Sequence, residues 1–180
     1  MRTLILIVAL AVSAPAAMPA LAAQATPAAS AQCIWRTIPA KARSAVLAAG
    51  PSLDDLEAAM NAISAATLKS ATRRCGVSGP DQGRDVAAAW AAQVLETWSQ
   101  TKLRARYRVS DAALELAWRH VPELNRAQLM AADQEPGAAS GVAALHGMTE
   151  ELHLSGDEAG SLVAVWGFAR LKLAQFGGPA

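Results

Sequence analysis

Aromatic residues other than tryptophan are nearly missing: the chain has one Tyr and two Phe beside five Trp, and three His. β-Branched residues are sparse as well, which removes the usual composition of a sheet. Charge of either sign is low at 17%, and the formal net charge of +1 excludes a strongly basic nucleic-acid binder. No GxSxG, HExxH, Walker loop or GxGxxG occurs, so the common hydrolase, metalloprotease and nucleotide signatures are missing. Ser99-x-x-Lys102 has the spacing of a penicillin-recognising tetrad but no KTG or SDN partner. No base–nucleophile arrangement stands out, and no catalytic residue is assigned.

What is present is alanine, 44 of the 180 residues, within a hydrophobic fraction of 53%. So much apolar surface excludes intrinsic disorder, and the length suits one ordinary domain. The N-terminus reads as an address. Met1-Arg2-Thr3 is a basic start, Leu4 to Val12 is an unbroken apolar run, and Ala20-Leu21-Ala22 fits a small-x-small cleavage rule. This is the layout of a secretory signal peptide over residues 1–22. The run is far shorter than the roughly 20 residues of a membrane span, and no later run reaches that length. Loss of Arg2 with the leader brings the 16 basic residues down to parity with the 15 acidic ones. Residues 23–32 are low in complexity and are expected to be a disordered lead-in, leaving 33–180 as a single domain.

Cys33 and Cys75 are the only cysteines, with no CxxC spacing and no His beside either. In an exported chain such a pair predicts one disulfide. Closing a loop of that length stabilises the fold by about 4 kcal/mol on the chain-entropy model.

The expected fold class is all-α, a bundle or short array of about six helices. Ser52, with Asp54, Asp55 and Glu57 behind it, predicts a helix carrying an inward stripe of Leu53, Leu56, Met60, Ile63 and Thr67. A third helix is expected from about Gly79 to Lys102, with Val86, Trp90, Val94 and Trp98 on one face. Ser155-x-x-Glu158 predicts a capping box for the last helix, which closes at Gly177-Gly178.

The chain also resembles itself. Trp35-Arg36-Thr37-Ile38-Pro39-x-x-x-Arg43 recurs as Trp118-Arg119-His120-Val121-Pro122-x-x-x-Arg126. Farther on, Ser78-Gly79-Pro80-Asp81 parallels Ser155-Gly156-Asp157-Glu158, and Trp90 is matched with Trp166. Two stretches agreeing in order predict two pseudo-symmetric three-helix units, about 33–105 and 116–176. At the same offsets Cys33 falls on Leu116 and Cys75 on Leu152, so an apolar pair is expected where the first copy has its disulfide. The repeated Trp residues are expected in the core, and the Arg residues are expected to tie helix ends to Asp81 or Glu158.

Two other clusters carry sharper readings. His146, Glu150 and His153 fall at i, i+4 and i+7, a spacing compatible with a metal, although a solvated helix face explains it more simply. Lys102, Arg104, Arg106 and Arg108 form a basic cluster suited to an anionic surface, with a solvated helix end as the plainer reading. No cofactor is assigned and no nucleic-acid partner is expected. The resulting expectation is an exported, soluble, non-catalytic helical protein that binds a protein or cell-envelope partner at the junction of its halves. The alternatives are a cell-envelope enzyme, metal-dependent or hydrolytic, and an anion-binding envelope stress protein.

Overall fold

A computed structural model describes residues 25–132 and 139–179. The expected signal peptide, residues 1–22, lies outside the described residues. Among the described residues every regular element is a helix: α1 (Pro27–Thr37), α2 (Ala40–Ala48), α3 (Leu53–Asn61), α4 (Ala65–Arg74), α5 (Pro80–Tyr107), α6 (Asp111–His120), α7 (Glu123–Ala132), α8 (Ala139–Glu151) and α9 (Asp157–Gln175). That makes nine helices where about six were expected, because local caps and prolines divide several of them.

The expected lead-in is the first departure. Helix α1 begins at Pro27, with the Thr26 hydroxyl accepting from the Ala29 N–H at 3.2 Å. A Thr N-cap followed by Pro at the first helical position is a complete start signal. The helix then buries Ala28, Ala31, Ile34 and Trp35. The low complexity of 23–32 is therefore, from Pro27 onward, an alanine-rich helix with a buried face.

The stretch after Ser52 also divides. Ser52 caps α3 as expected, accepting from the Asp55 N–H at 3.1 Å, but the helix ends at Asn61. Ser64 starts α4 by accepting from the Thr67 N–H at 3.2 Å. The proposed stripe is thus split between two axes: Leu56 and Ile63 are buried, while Leu53 is exposed.

Helix α5 has 28 residues, so it is about 42 Å long, and it continues past Lys102 to Tyr107. It packs most extensively on α9 and next on α1. Its inner face buries Val86, Val94, Trp98 and Leu103, with Trp90 only half-buried. Trp118 and Trp166 meet edge to face across α6 and α9, with ring centroids 5.7 Å apart. Gly167 lies beside this pair, where a Cβ would press to 3.0 Å on Leu145 Cδ2 and reach ordinary contact, 3.4 Å, with the Trp118 ring.

Cys33 and Cys75 are joined, with Cα atoms 5.8 Å apart, linking α1 to the residue that ends α4. The second half has no equivalent closure. Leu116, the expected counterpart of Cys33, is 52% exposed and is not half of a buried apolar pair. Its place on α6 faces outward while Ala117 and Trp118 turn inward.

Local geometry repeats more closely than the side chains do. Gly76 and His153 both have positive φ just after α4 and α8, and Val77 and Leu154 donate back to the carbonyls of Thr72 and Thr149. This is the same six-residue helix stop twice. Gly79 and Gly156 then occupy the N-caps of α5 and α9 at φ 80° and 93°, a region open to glycine. Consequently the expected capping box does not form: Gly156 holds the cap, and Glu158 pairs with Arg106 instead. With these caps aligned, Trp166 corresponds to Ala89, and Trp90 lies one position off the proposed match.

Candidate functional site

The most developed polar site lies where α1, α5 and α9 meet. Gln93, Glu96, Thr97 and Gln100 share one face of α5, at i, i+3, i+4 and i+7. From α1 come Thr26, Ala28, Ala29 and Gln32, and from α9 and its end come Arg170, Leu173 and residues 177–179. Together they line a cleft of about 370 Å³. Beneath it Ala28, Ala92, Leu173 and Phe176 form a small apolar cluster, and the Ala28 N–H donates to the Phe176 carbonyl at 3.1 Å. The start of α1 is thereby held to the end of α9.

Arg170 organises the wall. Its Nη1 lies 3.1 Å from Glu96 Oε1 and 2.6 Å from Glu115 Oε1, and its Nη2 donates to Glu115 Oε2 at 2.8 Å. Such a forked pair fixes the guanidinium plane. The guanidinium also stacks 5.7 Å from the Trp166 ring centre. Arg170 and Glu96 side chains are only 11% and 13% exposed, so this is an interior ion network. Burial pushes the Glu96 carboxyl above the usual carboxylate range; the Arg170 hydrogen bond and charge oppose this, while the Glu115 charge adds to it.

Around Glu96 the α5 side chains bond to one another. The Gln93 amide reaches Glu96 Oε2 at 3.4 Å and Thr97 Oγ1 at 3.2 Å, and the Thr97 hydroxyl donates to the Gln93 carbonyl at 2.7 Å. The Thr97 proton is therefore committed to the backbone, and no His lines the cleft. These groups can hold a ligand, but they form no nucleophile–base pair.

The chain matches no protein-family model, no curated protein and no solved structure.

The residues singled out from sequence lie elsewhere. Arg43 of the Trp-Arg-Pro-Arg pattern donates to the carbonyls of Trp35, Arg36 and Ile38 at 3.3, 2.6 and 2.7 Å, closing the end of α1. Its sequence counterpart Arg126 lies 5.6 Å from the Trp118 ring centre instead. Neither goes to the acids expected of it: Asp81 pairs with Arg84, and Glu158 with Arg106. Arg36, Arg119, Pro39 and Pro122 are exposed at the two helix junctions.

His146 and Glu150 approach to 3.3 Å at 72% and 70% exposure, but His153 leaves the helix at φ 51°. Among the described residues no group of three or more His, Cys, Asp or Glu is arranged to hold a metal ion. The basic cluster sits on the last turns of α5, where a two-residue spacing sends alternate side chains to opposite sides. Arg104 is paired with Asp111 and Arg106 with Glu158, and Arg108 closes the helix at φ 59°. Ser99 is fully buried, its hydroxyl donating to the Leu95 carbonyl at 2.7 Å.

Sequence reasoning missed the cleft. One signal was available: Gln93, Glu96 and Thr97 interrupt an otherwise apolar stretch over 86–98, and Gln100 continues their face. The other half, Arg170, ended an apolar run without naming its partners.

Proposed function

We propose that this is an exported, non-catalytic helical protein that binds a protein or envelope component at the junction of two pseudo-repeated halves. The cleft between α1, α5 and α9 supports this reading, because α5 and α9, one from each proposed copy, pack together there and buried charge and polar groups converge. Export rests on the leader pattern at 1–22 and is compatible with the Cys33–Cys75 disulfide. No helix among the described residues is long and apolar enough to cross a membrane. The repeat reading is supported by the paired helix stops and glycine caps. The basic cluster is a weaker binding candidate, since two of its four cations are already neutralised by carboxylates.

The test is affinity capture from the protein's own envelope extract, comparing wild type with Gln32→Trp, an exposed position at the mouth of the cleft. A component retained by wild type and lost with the variant is expected. Identical capture profiles would remove the cleft from consideration.

A further inference from the structure

We propose that the cleft recognises a primary ammonium group, with Glu96 as its counter-ion. This rests on the cleft being the binding site and adds the class of group that enters it. The first ground is charge. Among the described residues, Glu96 and Arg170 are the charged ones that line the cleft, and Arg170 is shared with Glu115 behind it. Two carboxylates against one guanidinium leave one carboxylate in excess, and of the two it is Glu96, at 13% exposure, that is cut off from water, so one further cation restores balance there.

The second ground is where the unused bonding capacity lies. Glu96 Oε1 faces Arg170 at 3.1 Å, whereas Oε2 has only the long 3.4 Å contact from Gln93. A carboxylate oxygen can accept more than one strong bond, so Oε2 is under-used. Gln93 spends its amide N–H groups on Glu96 and Thr97, leaving its side-chain carbonyl to accept. The carboxamides of Gln32 and Gln100 complete a lining that suits the three donors of an ammonium. Burial already disfavours the charged Glu96 carboxyl, and a cation supplies the solvation it lacks.

Other ligand classes fit less well. An anion would need a free guanidinium fork, but both Arg170 terminal nitrogens are engaged, and its unpartnered Nε is sealed from solvent. A quaternary ammonium calls for an aromatic cage, and no aromatic residue lines the cleft. A volume of about 370 Å³ has room for a side-chain-sized or single-sugar group.

The experiment is isothermal titration of the full chain at neutral pH with paired probes. Glucosamine and Nα-acetyl-lysine amide carry the ammonium on a sugar and on a peptide side chain; N-acetylglucosamine and propionate are the neutral and anionic controls. At least one ammonium probe is expected to bind, 10-fold or more tighter than the controls. Glu96→Gln, checked for folding by circular dichroism, is expected to lose that binding 10-fold or more, and Glu150→Gln to keep it. Stronger binding of a control, no binding of either ammonium probe, or full retention by Glu96→Gln overturns the ammonium assignment. The cleft reading itself then stands or falls separately, by whether Gln32→Trp abolishes capture of the envelope component.

Discussion

The stretches 33–105 and 116–176 share a helix stop and a glycine N-cap and are closed by different physics. In the first, α1 runs into Pro39, Arg43 turns back onto the last carbonyls of α1, and a disulfide fastens α1 to the end of α4. In the second, α6 runs into Pro122, but Arg126 stacks over Trp118, and Trp118 meets Trp166 edge to face. The first half has Ala89 where, with the caps aligned, the second has Trp166, and it is fastened by a covalent link and the carbonyl contacts of Arg43. The second brings two indoles together edge to face and has the forked Arg170–Glu115 pair, with no disulfide. Backbone punctuation can thus be kept while the stabilising interaction is exchanged, because a helix stop and a glycine cap depend on a few residues, whereas closure depends on volume.

The largest expected effect breaks the second half. Trp166→Ala removes a fully buried indole, the edge contact to Trp118 and the stack under Arg170. Urea unfolding should show a loss of about 3–5 kcal/mol. Next, Cys33→Ser with Cys75→Ser should cost about 3–4 kcal/mol by lifting the constraint on the unfolded chain. Hydrogen exchange should then accelerate in α1 and α4 far more than around Trp118. If the halves close independently, the combined variant should show the sum of the two losses within about 0.5 kcal/mol.

Smaller changes sharpen the contrast at matched positions. Arg43→Ala removes three carbonyl contacts and should cost about 1–2 kcal/mol, while Arg126→Ala should cost about 0.5–1 kcal/mol, mostly a lost cation–π contact. Equal losses would mean that the two arginines act alike despite their different partners.

The smallest effect at any one pH is a drift. A carboxyl whose folded pKa lies above its unfolded value contributes most stability below the unfolded value and loses it as pH rises through the folded one. Glu96 is of this kind. Glu96→Gln should therefore gain on wild type as pH rises from about 4 through the folded pKa, then run parallel to it. Chemical denaturation at several pH values reads this difference directly.

The helical class, the cysteine pair and the Ser52 start were legible in the sequence, since each depends on composition or a few adjacent residues. The break at Ala62–Ser64 was hidden because the apolar stripe continues through it, although Ser64 is as good a cap as Ser52. The capping box at Ser155 misled for a related reason: Gly156 takes the N-cap position at φ 93° with no side-chain bond, and Glu158 pairs with Arg106, far away in the chain. Trp90 and Trp166 look paired by residue type, yet the glycine caps place Ala89 opposite Trp166.

By itself the sequence determined that this chain is helical, where several of its helices begin and end, and which two sulfurs could meet. Those properties follow from propensity, capping and the reach of a short chain. Only the tertiary structure decided that Glu96, Glu115 and Arg170 converge, and that α1 returns to the end of α9 to make a cleft over them. Residues 55 and 74 positions from Arg170 have no local signal linking them to it. Their meeting depends on how α5, α6 and α9 pack, and an ion network inside a protein is set by that packing rather than by spacing along the chain.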